Sequence, residues 1–309
     1  MSGKIVIGTR GSELARRQSL MVEQALNEKW GDLTIETKVI TTRGDERNGH
    51  PAVADLRAGR KGLFTGEIER ALAARHIDLA VHSAKDLPSE ATPGTEIAAT
   101  LPRGPVDDVL VSLGRYTLES LPVAGIVATG SVRRKHQLRW KRPDLEVVDL
   151  RGNVPTRLRK LAKDEWHAGV LARAGLERLA LSLDDERIRY EGLDFFVTAL
   201  PRDVFLPAGG QGVIAIQIRA DDDRARMLLE PINDFNTRLC LRAEREFLRL
   251  LQGDCNQPVG VLATVNGSTL RLRGQVFALE ATTPREGMVE GLGEDAENLA
   301  AQLLQQLNG

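Results

Sequence analysis

Lys4-Ile5-Val6-Ile7-Gly8-Thr9-Arg10-Gly11-Ser12-Glu13-Leu14-Ala15 decides the fold class. Lys4 to Gly8 is a short β-rich run and Thr9 to Ser12 a tight turn, after which Leu14, Gln18, Met21, Val22, Ala25 and Leu26 recur at helical spacing. The order is strand, turn, helix. Ser12 is placed to cap the helix, which leaves backbone N–H groups beside Arg10, a pairing suited to an anion. The pattern repeats downstream. Ile35 to Thr41 reads as a second strand, Ile68, Ala71, Leu72 and Arg75 outline a helix, and Ile77 to His82 is a strand ending in Ser83-Ala84-Lys85-Asp86. Strands alternating with helices imply an α/β sheet, mostly parallel, with ligands at the carboxyl ends of its strands. Lys85 and Asp86 stand at such an end.

A second block follows the Pro/Gly-containing stretch Leu101 to Pro105. Ile126 to Ala128 reads as a strand, Thr129-Gly130-Ser131 as a turn, and Val132 onward as a helix, echoing the first turn. Leu145 to Leu150 is a strand ending in Arg151-Gly152-Asn153, and Pro155 with Arg157 opens another helix. Two similar lobes facing each other across a cleft are expected. Gly209-Gly210-Gln211-Gly212 reads as a hinge or a point of close packing, and Val213 to Ile218 as a strand that returns the chain to the first lobe. Leu239, Ala243, Phe247, Leu250 and Leu251 mark a long helix; Asn266-Gly267 turns a hairpin, and Leu299 to Leu307 ends the chain in an amphipathic helix. The expectation is a first α/β lobe over 1–101 plus about 202–220, a second over 106–198, and a small α+β C-terminal domain over 224–309.

Length and composition agree with several domains in water. The chain has 309 residues, beyond the roughly 250–300 at which a single core usually stops growing. Lys plus Arg number 42 against 43 Asp plus Glu, so the net charge of −1 offers no global field for nucleic acid or an anionic membrane. Any anion site must be local. Two cysteines exclude a disulfide framework, and the N-terminal apolar segment is too short for a signal-peptide core, so a cytoplasmic location is expected. No Cys-x-x-Cys, His-Glu-x-x-His or calcium loop occurs, so no metal is expected.

Arginine carries the local charge: 33 of the basic residues are Arg and nine are Lys. Arg10, Arg133, Arg134, Arg151 and Arg157 all fall in turns or at helix starts beside strand ends. A shared cleft would gather them on a ligand with several carboxylates, or on phosphate. Asp86 at the mouth of that cleft could stabilise cationic nitrogen, or simply satisfy loop amides. Cys255, in a polar loop, could be a nucleophile or a covalent attachment point, whereas Cys240 lies on an apolar helix face as a packed thiol. A cysteine protease lacks a local signature around Cys255.

The motifs Thr9 to Ala15, Lys61-Gly62-Leu63-Phe64, Val81 to Pro88, Thr129 to Arg134, Leu150 to Val154, Gly209 to Gly212 and Cys255 to Gly260 resemble, in order, those of the porphobilinogen deaminase family. The resemblance implies two lobes like those of periplasmic binding proteins and a cytoplasmic enzyme of tetrapyrrole synthesis. Its expected cofactor is a dipyrromethane, thioether-linked to Cys255, from which four porphobilinogen molecules are polymerised into hydroxymethylbilane. The resemblance carries Asp86 over as the carboxylate at the pyrrole nitrogens. It carries Arg10, Arg133, Arg134, Arg151, Arg157 and Arg178 over as binders of acetate and propionate groups. Ser12, Asp45, Lys61, Phe64, Ser83, Lys85, Thr129 and Ser131 then line the cofactor or substrate cleft, with Lys85 a candidate for proton delivery or for carboxylate binding. A monomer is expected. The competing class is a two-lobed carboxylate receptor without chemistry. Arg60 and Asp254 stand where the family usually has glycine.

Overall fold

The computed structural model describes residues 3–42, 65–181, 186–251, 258–278 and 281–308. The chain lays down β1 (Gly3–Thr9), α1 (Glu13–Lys29), β2 (Leu33–Val39), α2 (Gly66–Ala73), β3 (Leu79–Ser83) and β4 (Thr95–Thr100). It then crosses to β5 (Asp108–Ser112), β6 (Ile126–Ala128), α3 (Val132–Lys141), β7 (Glu146–Val148), α4 (Val154–Lys163), β8 (Ala168–Ala172), α5 (Arg173–Arg178), β9 (Arg187–Tyr190) and β10 (Leu193–Ala199). A second crossing leads to β11 (Ile214–Arg219), α6 (Asp223–Leu229), α7 (Phe235–Leu250), the strands β12 (Val259–Asn266), β13 (Thr269–Val276) and β14 (Arg285–Leu292), and α8 (Ala296–Asn308).

Two sheets follow one plan. The first has the order β2-β1-β3-β11-β4, the second β7-β6-β8-β5-β10-β9. In each, three parallel strands are followed by one antiparallel strand, and that strand is the one that has just crossed from the other sheet. β5 enters the second lobe and β11 returns to the first, so the lobes are tied by two crossings. β11 is buried along its whole length, as a central strand covered on both faces should be. The fold is α/β with two such lobes and a small α+β C-terminal domain.

Each lobe closes over its own core. Ile5, Ile7, Val22, Leu26, Ile214 and Ile216 fill the first; Val109, Val111, Leu158, Leu171 and Phe195 belong to the second. In the third unit α7 and α8 pack Leu239, Phe247, Leu299 and Leu303 on a three-stranded antiparallel meander. Cys240 lies in this core, where burial pushes its thiol up to about 11. The Asn266-Gly267 turn has the positive φ of 59° that a tight hairpin requires of its glycine.

Close packing, rather than open hinge space, surrounds Gly209 to Gly212. Gly212 has φ +82° and a Cβ there would meet the Gly104 carbonyl oxygen at 2.4 Å; a Cβ on Gly209 would strike Leu248 at 2.7 Å. The two crossings are also bonded together: Gly104 N donates to Gly212 O at 2.9 Å, and Arg103 Nε to Gln211 O at 3.0 Å.

Candidate active site

Strand ends of both lobes meet where the crossings run, and capping fixes each loop. Ser12 caps α1, accepting from Ala15 N at 3.3 Å, and Thr9 is buried beneath it. Ser131 caps α3 in the equivalent place, and Asn153 caps α4 through Thr156 N at 2.9 Å. Gly130 is required by close approach, since a Cβ would lie 2.6 Å from Leu150 O. At the end of β3, Ser83 exchanges bonds with Gln18 of α1 at 2.8 and 3.1 Å, and a 3-10 turn over Ala84–Asp86 presents Lys85 and Asp86.

Lys85 is the residue on which both lobes act. Burial pushes its ammonium down to about 8, with Asp86 and Asp108 opposing that shift and Arg134 and Arg157 adding to it. Arg157 is pushed down to about 10 by burial and by Arg134, against the pull of Asp86. Lys85 and Asp86 come from the first lobe, and Arg134, Arg157 and Asp108 from the second. These charges therefore lie within electrostatic reach of one another where the lobes meet. Three cations oppose two carboxylates, an excess that suits a polyanion.

Asp108 was not among the residues singled out from the sequence. Fully buried at the head of β5, it accepts from Arg133 Nη1 at 2.7 Å, Arg134 Nη2 at 2.7 Å and Gln211 Nε2 at 2.9 Å. Burial alone would raise its carboxyl, but the two guanidinium groups outweigh burial and hold it well below the usual range. Arg133 further donates to Gln137 Oε1 and Leu206 O, and Arg134 to Val170 O. Among the described residues, both Nε–H groups remain buried without a partner. Adjacent Asp107 and Asp108 gave no motif; the one hint was Gln211, inside the glycine-rich motif, which reaches Asp108.

The other expected residues separate. Arg10 is half-buried beside His82, and Thr129 is buried with its hydroxyl accepting from Ser131 N. Arg151 is exposed and pairs with Asp149 at 3.5 Å. Arg178 donates to Gly212 O at 2.6 Å, so at least one of its nitrogens serves the crossing rather than the cleft. Asp45, Lys61, Phe64 and Cys255 lie outside the described residues. No group of three or more His, Cys, Asp or Glu among the described residues could hold a metal ion.

Residues 5–227 match the family described as porphobilinogen deaminase, dipyromethane cofactor binding domain, and residues 238–309 match its C-terminal domain. The chain belongs to the porphobilinogen deaminase family. Porphobilinogen deaminase of Roseiflexus sp. (strain RS-1) is 45% identical over 99% of this chain and 96% of its own length. That of Moorella thermoacetica is 44% identical over 98% of this chain and 93% of its own. Among solved structures, the methionine binding protein MetQ overlaps 76% of this chain and 92% of its own at 12% identity, with a TM-score of 0.45.

The donor set fits the family's cofactor. Dipyrromethane carries carboxylates, and buried guanidinium N–H groups without partners are costly unless a ligand or water accepts from them. The Nε–H groups of Arg133 and Arg134, with Lys85 and Arg157 in electrostatic reach of Arg134, are donors of the kind such carboxylates need.

Proposed function

We propose that the chain is a hydroxymethylbilane synthase: a transferase of tetrapyrrole synthesis that deaminates four porphobilinogen molecules and joins them head to tail. The observation that carries this reading is the cluster that Lys85 and Asp86 form with Arg134, Arg157 and Asp108 of the opposite lobe. Such a cluster combines an excess of cations for carboxylates with a carboxylate of its own at the mouth. When bound, dipyrromethane supplies a primer whose free pyrrole α-carbon is the nucleophile.

The chain's own groups then divide the work. Cys255 holds the primer as a thioether. Arg133 and Arg134, braced by Asp108, take carboxylates of the primer, together with Asp45, Lys61, Ser83, Thr129, Ser131 and Arg151. Arg10, Ser12, Phe64, Arg157 and Arg178 serve the incoming porphobilinogen. As its aminomethyl C–N bond breaks and ammonia leaves, positive charge spreads onto the pyrrole nitrogen, and the fixed carboxylate of Asp86 stabilises that charge. Lys85, whose ammonium is pushed down to about 8, binds a carboxylate or hands over a proton. Arginines in such number are needed because each added unit brings two more carboxylates.

The first lobe comprises 1–101 plus about 202–220, the second 106–198 and the C-terminal domain 224–309. The working form is a cytoplasmic monomer that engages neither nucleic acid nor membrane; its net charge of −1 and two cysteines support this. Intact mass and peptide mapping test the function. The purified chain should carry two pyrrole units on the peptide containing Cys255 and convert porphobilinogen to a linear tetrapyrrole. A chain with the mass of its sequence and no turnover would instead be a carboxylate receptor.

A further inference from the structure

Arg133 begins a line of hydrogen bonds that runs buried as far as Gln275 and ends on the exposed Glu286 of the C-terminal domain. Its Nη1 donates to Gln137 Oε1 at 2.9 Å; Gln137 Nε2 donates to Gln275 Oε1 at 2.6 Å; Gln275 Nε2 donates to Glu286 Oε1 at 2.9 Å. Both glutamines have no solvent exposure at all. The second hydrogen of each amide goes to the second crossing: Gln137 to Leu206 O at 2.9 Å, and Gln275 to Val204 O at 3.1 Å. Each amide is thus fully used on both its donor hydrogens and its oxygen.

The direction of this line is set at its ends. A guanidinium only donates and a carboxylate only accepts, so each amide between them has one permitted orientation. Buried networks of this kind are stable when every member is satisfied and costly when one is reversed. The line also touches the strand that follows Cys255 in the chain. Gly260 of β12 pairs in register with Gln275, and a Cβ at Gly260 would lie 2.7 Å from Leu206 O. Val261 N donates to Pro207 O at 2.8 Å on the same edge.

We infer that Gln137 and Gln275 are positioning residues for Arg133, a one-directional relay through which the C-terminal domain holds that guanidinium in the cleft. Together with Asp108 and Leu206 O the relay occupies Nη1, which leaves the buried, unpartnered Nε as the donor for a ligand carboxylate. This rests on the hydroxymethylbilane synthase reading. Packing alone would not require polarity here, because a residue of similar shape could fill either position.

The test compares Gln275→Glu with the double variant Gln275→Glu/Glu286→Gln in the full-length holoenzyme. The single change sets two carboxylates against each other and reverses the line. The double change keeps net charge and restores direction, with the new Gln donating to the new carboxylate, which still accepts from Gln137; the bond to Val204 O is lost in both variants alike. KM for porphobilinogen, the fraction of chains carrying the two-pyrrole mass and the unfolding midpoint are measured together. Gln275→Glu should raise KM about tenfold and lower that fraction, as expected for one weakened charge-assisted bond. The double variant should recover to within about threefold of wild type, the lost bond to Val204 O being common to both variants. A single variant with wild-type KM and loading, or a double variant no better than the single, overturns the relay. Should Gln275→Glu not fold, Gln137→Met decides: raised KM with retained kcat supports positioning, and an unchanged KM refutes it. A wild-type chain with neither adduct nor turnover overturns the enzymatic reading itself, and the relay's role with it.

Discussion

Gln211 donates to Asp108 across 2.9 Å, which ties the second crossing to the carboxylate that holds Arg133 and Arg134. Asp108→Asn should therefore act on fold and cleft together. It leaves two buried guanidinium groups without their counter-charge, and removing one partner of a buried ion pair costs about 3–5 kcal/mol. The denaturant midpoint should fall accordingly while the m-value holds. Because the folded carboxyl titrates below its ordinary value of 3.8, its stabilisation is complete above that pH and disappears as pH falls through the folded value. The variant should lose that part of the acid dependence.

His82 contributes a second acid limb by the opposite chemistry. It is buried, with Nε2 at 3.1 Å from Gln217 Oε1, and burial pushes it from 6.5 down to about 4, with Arg10 adding to the shift and Gln217 opposing it. The unfolded chain binds a proton that the folded chain refuses between those values. Stability from this residue is thus present above about 6.5 and falls by up to about 1.4 kcal/mol per pH unit down to about 4. In His82→Asn the unfolding midpoint should change less over that window, measured by urea titration at several pH values.

Two glycines with positive φ should respond very differently to alanine. Gly267, at φ +59°, has nothing within 4 Å of a Cβ, so Gly267→Ala should cost only the backbone strain of about 1–2 kcal/mol. Gly212 has the same kind of φ, but its Cβ would lie 2.4 Å from a carbonyl oxygen that cannot move without parting the crossings. Gly212→Ala should exceed the Gly267 cost by several kcal/mol, read from midpoints of the two variants.

Local signals made most of the α/β plan legible. The strand–turn–helix units at Ser12 and Ser131 could be read because a cap and an apolar period coincide. The return strand β11 could be read as a continuous apolar run after a glycine cluster. β5 was not expected: Asp108 to Ser112 is buried on both faces, so it has no alternation to announce it. β14 escaped for the opposite reason, being an edge strand rich in Arg, Glu and Gly with no buried residue. In the site, arginines were legible by type, but their partners were not. Gln137 stands four residues on from Arg133, a helical spacing, but Asp108 is 25 residues from Arg133 and Gln275 is 138 from Gln137, and no spacing rule reports those contacts.

Lys85 should give substrate binding its alkaline limb. With its ammonium at about 8, the cation is lost as pH rises through that value, and a carboxylate ligand loses its partner. KM for porphobilinogen should climb several-fold between about pH 7 and 9, and Lys85→Met should flatten the climb while starting from a higher KM. The stability sign is opposite: from about 8 to 10.5 the unfolded chain holds more protons, so this group's contribution to stability rises with pH. A KM profile identical in both proteins would assign the limb to another group.

Asp86→Asn separates charge from shape at the mouth of the cleft. Asp86 is exposed, and it pulls both Lys85 and Arg157 toward their charged forms from the lobe boundary. Asparagine keeps the side-chain outline, so the unfolding midpoint should stay near wild type, as for other exposed positions. The loss should fall on the chemical step, because a fixed carboxylate is worth most when positive charge develops on substrate nitrogen; about 10²–10³ in kcat is expected. KM should shift far less than kcat, since losing the repulsion between Asp86 and the substrate's carboxylates offsets the smaller ammonium fraction left on Lys85. Single-turnover release of ammonia, compared with steady-state formation of tetrapyrrole, reads the step directly. A variant whose ammonia release matches wild type would place the charge of Asp86 outside the reaction and leave it a counter-ion to Lys85 and Arg157.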